Sequence, residues 1–437
     1  MSRTTNNKLQ TTNIAGLLSV SPMLFFILLF ITASLIAGDF YKISLSAIFC
    51  ISSIYALFTL RHKSIAEKIK IFSRGAGHEN LMLMLWIFIL AGAFAQTAKD
   101  IGAIDSVVKV ALHFLPSQLI LAGMFVTSCF VSLSIGTSVG TVAALVPISV
   151  GIANSTGEPS AILVASVVGG AFFGDNLSFI SDTTIASTKT QGCELKDKFK
   201  ANFLIALPAA IVTVAVYVFI NNSQPHDFAS ITFSDFIKTL PYIVVLVAAI
   251  CGMNVFAVLA VGNLLAGITG ISLGVCNVEN WLASLGNGII SMGELIIISM
   301  LAGGMLEVIR ENGGINFIID KLSQHIKSKR GGELAIGAMV GITNFCTANN
   351  TIAIISVGKI AKDISQQFNI NPCKSASILD TFSCVVQGLI PYGAQILMAS
   401  ALSHLPPTDI LAYMYYPIIV GITSVICIMI RFPRKYS

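Results

Sequence analysis

The sequence predicts an all-α polytopic membrane protein with two inverted-topology repeats, re-entrant hairpins and discontinuous transmembrane helices. Three observations predict it. Apolar runs are long enough to cross a bilayer, basic residues cluster in alternate loops, and a set of interrupted apolar segments recurs 211 residues further on.

Of the 437 residues, 55% are hydrophobic and 11% charged, against about 25% charged in soluble domains. That balance excludes an ordinary soluble protein. Apolar runs near 17–37, 43–60, 81–98, 201–220, 289–308 and 411–430 each approach the ~20 residues that cross roughly 30 Å of hydrocarbon. Strand-like alternation is absent, which argues against a membrane barrel. The polar start, MSRTTNNKLQTTNIAG, leads into the first apolar run without a clear small-residue cleavage site, so that run reads as a retained helix. Nine dispersed cysteines with no CxxC pair read as small buried apolar residues. A net charge of +5 would suggest nucleic acid in a soluble chain. Here the basic residues lie in loops, report orientation, and imply no nucleic-acid partner.

Basic clusters fall at Arg61, Lys63, Lys68, Lys70 and Arg74; at Lys189, Lys196, Lys198 and Lys200; at Lys321, Lys327, Lys329 and Arg330; and at Arg431, Arg434 and Lys435. The positive-inside rule places these in the cytoplasm, with both termini. Stretches 38–41, 154–159, 221–237, 269–288 and 403–410 lack Lys and Arg and face outward.

The internal repeat is carried by Leu90-Ala91-Gly92-Ala93-Phe94, which recurs as Leu301-Ala302-Gly303-Gly304-Met305, an offset of 211 (301 − 90). At that offset Ile135-Gly136-Thr137-Ser138 falls on Cys346-Thr347-Ala348-Asn349. Asp175 and Ser178 then match Asp380 and Ser383 at 205 (380 − 175), as though a loop had lost six residues. Threaded through the loop charges, 81–98 runs outward and 289–308 inward, so the repeats are inverted. The segment 117–153, broken at Gly136-Thr137-Ser138, becomes a hairpin dipping in from outside. Its partner, 334–360, dips in from the cytoplasm with Thr347–Thr351 at its tip. The segments 160–188 and 376–402 cross fully, each with an aspartate at mid-span. The interval 239–268 reads as two passes meeting near Gly252-Met253-Asn254. The resulting organisation is two helices and a basic loop (1–80), a first repeat (81–220), intermediate helices (221–288) and a second repeat (289–430).

Paired breaks of this kind mark a secondary transporter whose binding site lies where the breaks meet. Four stretches rich in Gly, Ser, Thr, Asn and Asp interrupt the apolar pattern: 134–141, 174–184, 347–351 and 379–393. Irregular backbone at membrane depth is tolerated only where it is buried in protein or lines an aqueous cavity. Within the breaks lie Asp175, Asp182 and Asp380. An aspartate at mid-bilayer costs about 2.5–3.5 kcal/mol on insertion scales, so it points to function. Such a carboxylate holds a proton or Na+ but not both, which is the chemistry of an antiporter. Asn176, Ser178, Thr183, Thr137, Ser138, Asn349, Asn350, Thr351 and Ser383 would complete an oxygen shell for a hard monovalent cation. Asp182 could instead cap a helix. Tyr392 and Glu294 are candidates for the substrate pathway, and Glu307 has Arg310 one turn on. The six histidines fall in or beside loops, which disfavours a histidine proton relay. No GxxxxGK[ST] signature is present, so an ion gradient supplies the work.

Gly174-Asp175-Asn176-Leu177-Ser178-Phe179-Ile180-Ser181-Asp182-Thr183-Thr184, preceded by Ser134-Ile135-Gly136-Thr137-Ser138 and followed by Ala348-Asn349-Asn350-Thr351 and Gly388-Leu389-Ile390-Pro391-Tyr392-Gly393, resembles the NhaC family of Na+/H+ antiporters over roughly residues 80–400. The resemblance implies exchange of Na+ for H+ by alternating access, with these ions as cargo and no cofactor. Family members often carry Lys and Pro where this chain has Asn176 and Phe179. The same family is similar to exchangers of organic acids such as malate and lactate, so a Na+-coupled organic-acid or amino-acid exchanger is the alternative. No Lys or Arg stands out within the four breaks to hold an organic carboxylate, although helix N-termini could substitute. A membrane-embedded enzyme and a passive channel are the remaining alternatives. Expected partners are membrane lipids and the two ions, with a homodimer left open.

Overall fold

In the computed structural model every residue is described except 1, 38–43, 115, 180, 222–230, 252, 324–325 and 437. The stretch 38–41, Ile180, His226, Gly252 and His325 therefore lie outside the described residues. The chain opens with α1 (Ser2–Ala37) and α2 (Leu45–Thr59), then α3 (Ile65–Ala76), α4 (Glu79–Asp100), α5 (Ala103–Phe114), α6 (Ile120–Ile135), α7 (Ser138–Thr156), α8 (Ser160–Leu177), α9 (Asp182–Gln191) and α10 (Leu195–Ile220). A hairpin of α11 (Phe233–Ile250) and α12 (Val255–Ser272) leads to α13 (Val278–Ser291), α14 (Gly293–Glu311), α15 (Gly314–Ser323), α16 (Lys329–Thr347), α17 (Asn350–Gln367), α18 (Pro372–Gln387), α19 (Ala394–Ser403), α20 (Pro407–Leu411) and α21 (Tyr415–Met429). Among the described residues, seven stretches are long and apolar enough to cross a membrane. Leu28, Phe130, Ile211, Phe219 and Leu264 are exposed, as expected of side chains that meet lipid.

The breaks are made by local chemistry. At the first, α6 ends on Gly136 in the left-handed region (φ 72°), and Thr137 opens α7 by accepting a hydrogen bond from the Gly140 amide. At the second, α16 ends on Ala348 (φ 49°), and Asn349 opens α17 by accepting from the Ile352 amide. Ser, Thr and Asn satisfy the orphan amides of a helix start, which lets each chain reverse at membrane depth. The interruptions α8/α9 and α18/α19 complete the set.

The register of the repeat differs from the sequence reading by one residue at the hairpin breaks and by seven beyond them. The left-handed residues Gly136, Gly157 and Gly192 correspond to Ala348, Asn369 and His404, and 348 − 136, 369 − 157 and 404 − 192 all equal 212. Side chains agree: Ser132 donates to the Ala171 carbonyl at 2.7 Å, and Asn344, 212 residues later, donates to the Ser383 carbonyl at 2.6 Å. Asp175 therefore stands opposite Gln387, and Asp380 opposite Val168; the two aspartates are not repeat partners. The error has a simple cause. The two registers differ by seven residues, two turns of helix, so the slipped alignment kept the same helix face and matched one aspartate to another.

The repeats also begin earlier than the breaks suggest. A side chain on Gly75 of α3 would place its Cβ 2.3 Å from the Gly303 carbonyl of α14, and on Gly92 of α4 it would lie 2.4 Å from the Gly288 carbonyl of α13. These crossings make α3/α4 and α13/α14 equivalent pairs. Lys63, just before α3, reaches Glu311 at the end of α14, whereas Ser284 of α13 reaches Asp100 at the end of α4. The pairs therefore run in opposite senses. The segment read as a basic loop is thus largely helix α3, started by a capping box between Ser64 and Glu67.

Candidate functional site

The two hairpin tips meet at one carboxylate. Asp175, in the last turn of α8, is 5% exposed. It accepts hydrogen bonds from Ser138 of the first tip at 2.8 Å, from Ser181 of the α8/α9 break at 2.5 Å, and from Asn350 of the second tip at 3.4 Å. Among the described residues its hydrogen-bond donors are thus hydroxyls and an amide. A buried anion held only by neutral donors lacks the opposite charge that would balance its desolvation.

Asp175 faces a cavity of about 100 Å³ with Thr137, Ser138, Asp182, Thr183, Asn349, Asn350, Thr351, Gln387 and Gln395 among its lining residues. Asp182, the first residue of α9, is exposed there. Among the described residues the lining carries two carboxylates and no Lys or Arg. Gln387 and Gln395 tie the site to the α18/α19 break. Gln395 donates to Ser138 at 2.8 Å, and Gln387 donates to Gln395 at 3.1 Å and to the Ala348 carbonyl at 3.0 Å. The resulting chain runs from the second tip through both glutamines and Ser138 to Asp175.

A second cavity shares Met84, Ala348, Asn349 and Ala394 with the first and extends towards His78, Glu307 and Arg310 on the face that carries Lys63 and Arg74. There Arg74 pairs with Glu307 at 2.8 Å and Glu311 at 3.0 Å. It is thus nearer to Glu307 than Arg310 is, at 3.7 Å. On the other side, a cavity of about 670 Å³ lined by Glu294, Ser400, His404, Leu397 and Pro391 stops at the α18/α19 break.

Asp380 has a different environment. It is fully buried and pairs with Lys198 of α10, which is buried as well. Lys198 also donates to the Asn176 carbonyl at 2.8 Å and to Thr184 at 2.9 Å, and Thr184 donates to Asp380 at 3.0 Å. The sequence reading placed Lys198 among the cytoplasmic loop charges; it lies instead buried in α10, and although none of the four breaks itself contains a Lys or Arg, its ammonium reaches Asp380 in one of them.

Of the other predicted residues, Asn176 is packed between Asn202 and Thr381 behind the cavity. Ser178, which caps α8, donates to the Leu133 carbonyl near the end of α6, and Ser383 donates to the Asp380 carbonyl one turn back within α18, both at 2.8 Å. Tyr392 lines the second cavity and donates to the Phe345 carbonyl at 2.7 Å. Glu294 lies in the far cavity and accepts from Ser46 at 3.1 Å. The residues that sequence reasoning missed are Ser181, Thr184, Lys198, Gln387 and Gln395. Ser181 and Thr184 lay inside a quoted motif, and Gln387 inside a quoted break. Lys198 and Asn202 share one helix face, a spacing that could have pointed inward.

The Na+/H+ antiporter family matches residues 3–221 and 228–431. The chain is 27% identical to the Na+/H+ antiporter NhaC of Bacillus subtilis strain 168, over 82% of this chain and 85% of that one. It is 19% identical to the malate-2H+/Na+-lactate antiporter of the same strain, over 76% and 78%. Among solved structures, the Alcanivorax borkumensis YdaH transporter aligns over 84% of this chain and 88% of that one, with TM-score 0.44 and 10% identity.

Proposed function

The chain belongs to the Na+/H+ antiporter family, and on that premise we propose that it exchanges Na+ for H+ across the bacterial inner membrane, with Asp175 holding the two ions alternately. The observation that carries this reading is a buried carboxylate gripped by both hairpin tips and facing a cavity lined by acidic and neutral oxygens. A proton and a Na+ ion compete for its oxygens, so each turnover exchanges one for the other. Ser138, Asn350, Thr183 and the tip backbones supply the neutral ligands, and Asp182 draws cations into the cavity. Asp380 is held in an ion pair and stays out of the exchange.

Positive-inside counting supports a cytoplasmic position for the Lys63/Arg74 face and for both termini. The two cavities, which share four lining residues, then describe a state open to the cytoplasm, with the α18/α19 break and its Gln387–Gln395–Ser138 contacts closing the outer side. Alternating access breaks these contacts and exposes Asp175 to the cavity beside Glu294.

An organic-acid cargo is the rival reading, prompted by the malate-2H+/Na+-lactate relative. Among the described residues the cavity lining has no Lys or Arg to receive an organic carboxylate, which favours a bare cation. Proteoliposomes with an acidic lumen test the choice: external Na+ alone releases protons on the present reading. Release only after an organic acid is added sinks it.

A further inference from the structure

We propose that the ammonium of Lys198 is a tethered cation filling a second monovalent-cation site. The inference rests on the Na+/H+ exchange reading for its cargo, but it concerns a different set of oxygens. Three kinds of oxygen surround Nζ: the Asn176 carbonyl at 2.8 Å, the Thr184 hydroxyl at 2.9 Å and the Asp380 carboxylate. Carbonyl, hydroxyl and carboxylate together are what a hard cation selects. The Asn176 carbonyl belongs to the last turn of α8, where unpaired carbonyls carry the negative end of the helix dipole.

The two sites stand back to back on the same two segments. Asp175 and Thr183 face the cavity, whereas their chain neighbours Asn176 and Thr184 turn to Lys198. Lys198 and Asp380 are fully buried, and neither lines the cavity. Apolar residues of similar volume often stabilise a core as well as a buried ion pair does, so stability alone gives little reason for an ammonium here. Its consequence is a fixed charge count: one mobile cation at Asp175 and one immobile cation beside it. Removing the Lys198 side chain leaves a vacant oxygen cage, charged by Asp380, that takes Na+ or a small primary ammonium ion.

The test measures ²²Na+ binding and thermal stability of the full chain in nanodiscs, with methylammonium as a second probe. Wild type is expected to bind one Na+ per chain and to ignore methylammonium. Lys198→Ala is expected to bind two Na+, to be stabilised by methylammonium, and to lose one Na+ when methylammonium is added. The pair Lys198→Ala/Asp380→Asn is expected to fold, bind one Na+ and ignore methylammonium. Should Lys198→Ala fold only when Na+ or methylammonium is present, that outcome also supports the site. The proposal is overturned if Lys198→Ala takes up no Na+ beyond the one held at Asp175 and is unaffected by methylammonium, or if it stays unfolded in the presence of both cations. The methylammonium response does not depend on Na+ binding at Asp175, so its loss separates failure of this inference from failure of the exchange reading.

Discussion

Replacing Ser138 by Ala probes the link between cargo site and outer closure. Its hydroxyl donates to Asp175 at 2.8 Å and accepts from Gln395 at 2.8 Å, and Ser138 and Gln395 are both buried. The substitution removes a hydrogen bond to a charged group, worth about 1.5–3 kcal/mol, and strands an amide N–H at about 1–3 kcal/mol. Water in the adjoining cavity offsets part of both losses, and side-chain hydrogen bonds in membrane proteins average only about 0.6 kcal/mol. A net effect of about 1.4 kcal/mol on the Na+-bound state corresponds to roughly tenfold weaker Na+ affinity. In everted vesicles, read by a pH-sensitive dye, the Na+ concentration for half-maximal exchange should rise about tenfold while the maximal rate changes little. Ser149→Ala is the control, because the equally buried Ser149 bonds only the Val146 carbonyl of its own helix. A half-maximal Na+ concentration unchanged in Ser138→Ala, or raised equally by Ser149→Ala, refutes the reasoning.

Other perturbations reach other parts of the account. Asn350→Ala, which removes the contact from the opposite tip, should weaken Na+ affinity in the same direction, and its effect combined with Ser138→Ala should be non-additive because both act on one carboxylate. Gly92→Leu and Gly75→Leu, where a Cβ would sit within 2.4 Å of a facing carbonyl, should each cost about 1–3 kcal/mol through overpacking, seen as a lower melting temperature in detergent. Thr351→Cys should react with a membrane-impermeant thiol reagent added from the Lys63/Arg74 side, and Na+ should slow that reaction. Glu67 caps α3 through Ser64, whose backbone N–H holds its carboxyl below the usual carboxylate range. A depressed folded value means stability that is present above the unfolded value near 4.5 and lost as the pH falls through the folded one. Amide exchange in α3 should therefore quicken on acidification, and Glu67→Gln should remove most of that dependence.

Much of this architecture was legible because bilayer burial imposes simple patterns. Apolar runs gave the spans, and the Gly136-Thr137-Ser138 and Thr347–Thr351 breaks gave the tips, since helix stops and N-caps require those residue types. The register was misread because identity rewards matching side chains, whereas equivalence in the repeat is carried by left-handed positions whose residues differ, such as His404 opposite Gly192. Lys198 was misread because Lys196 and Lys200 flank it. Only the phase of α10, which turns Lys198, Asn202 and Ala209 to the interior, separates it from its exposed neighbours. Similarly, α3 looked like a loop because its charges conceal Ile71 and the small Gly75 and Ala76 packed beneath.

Asp175→Asn offers the most direct trial of the central claim. It preserves the shape of a side chain that both tips grip and removes only its charge, which is worth about 4 kcal/mol to a cation some 4 Å away at an effective dielectric constant near 20. In proteoliposomes the folded variant should bind ²²Na+ about a thousandfold more weakly and show no Na+-driven proton release. Normal exchange by Asp175→Asn would contradict the assignment outright.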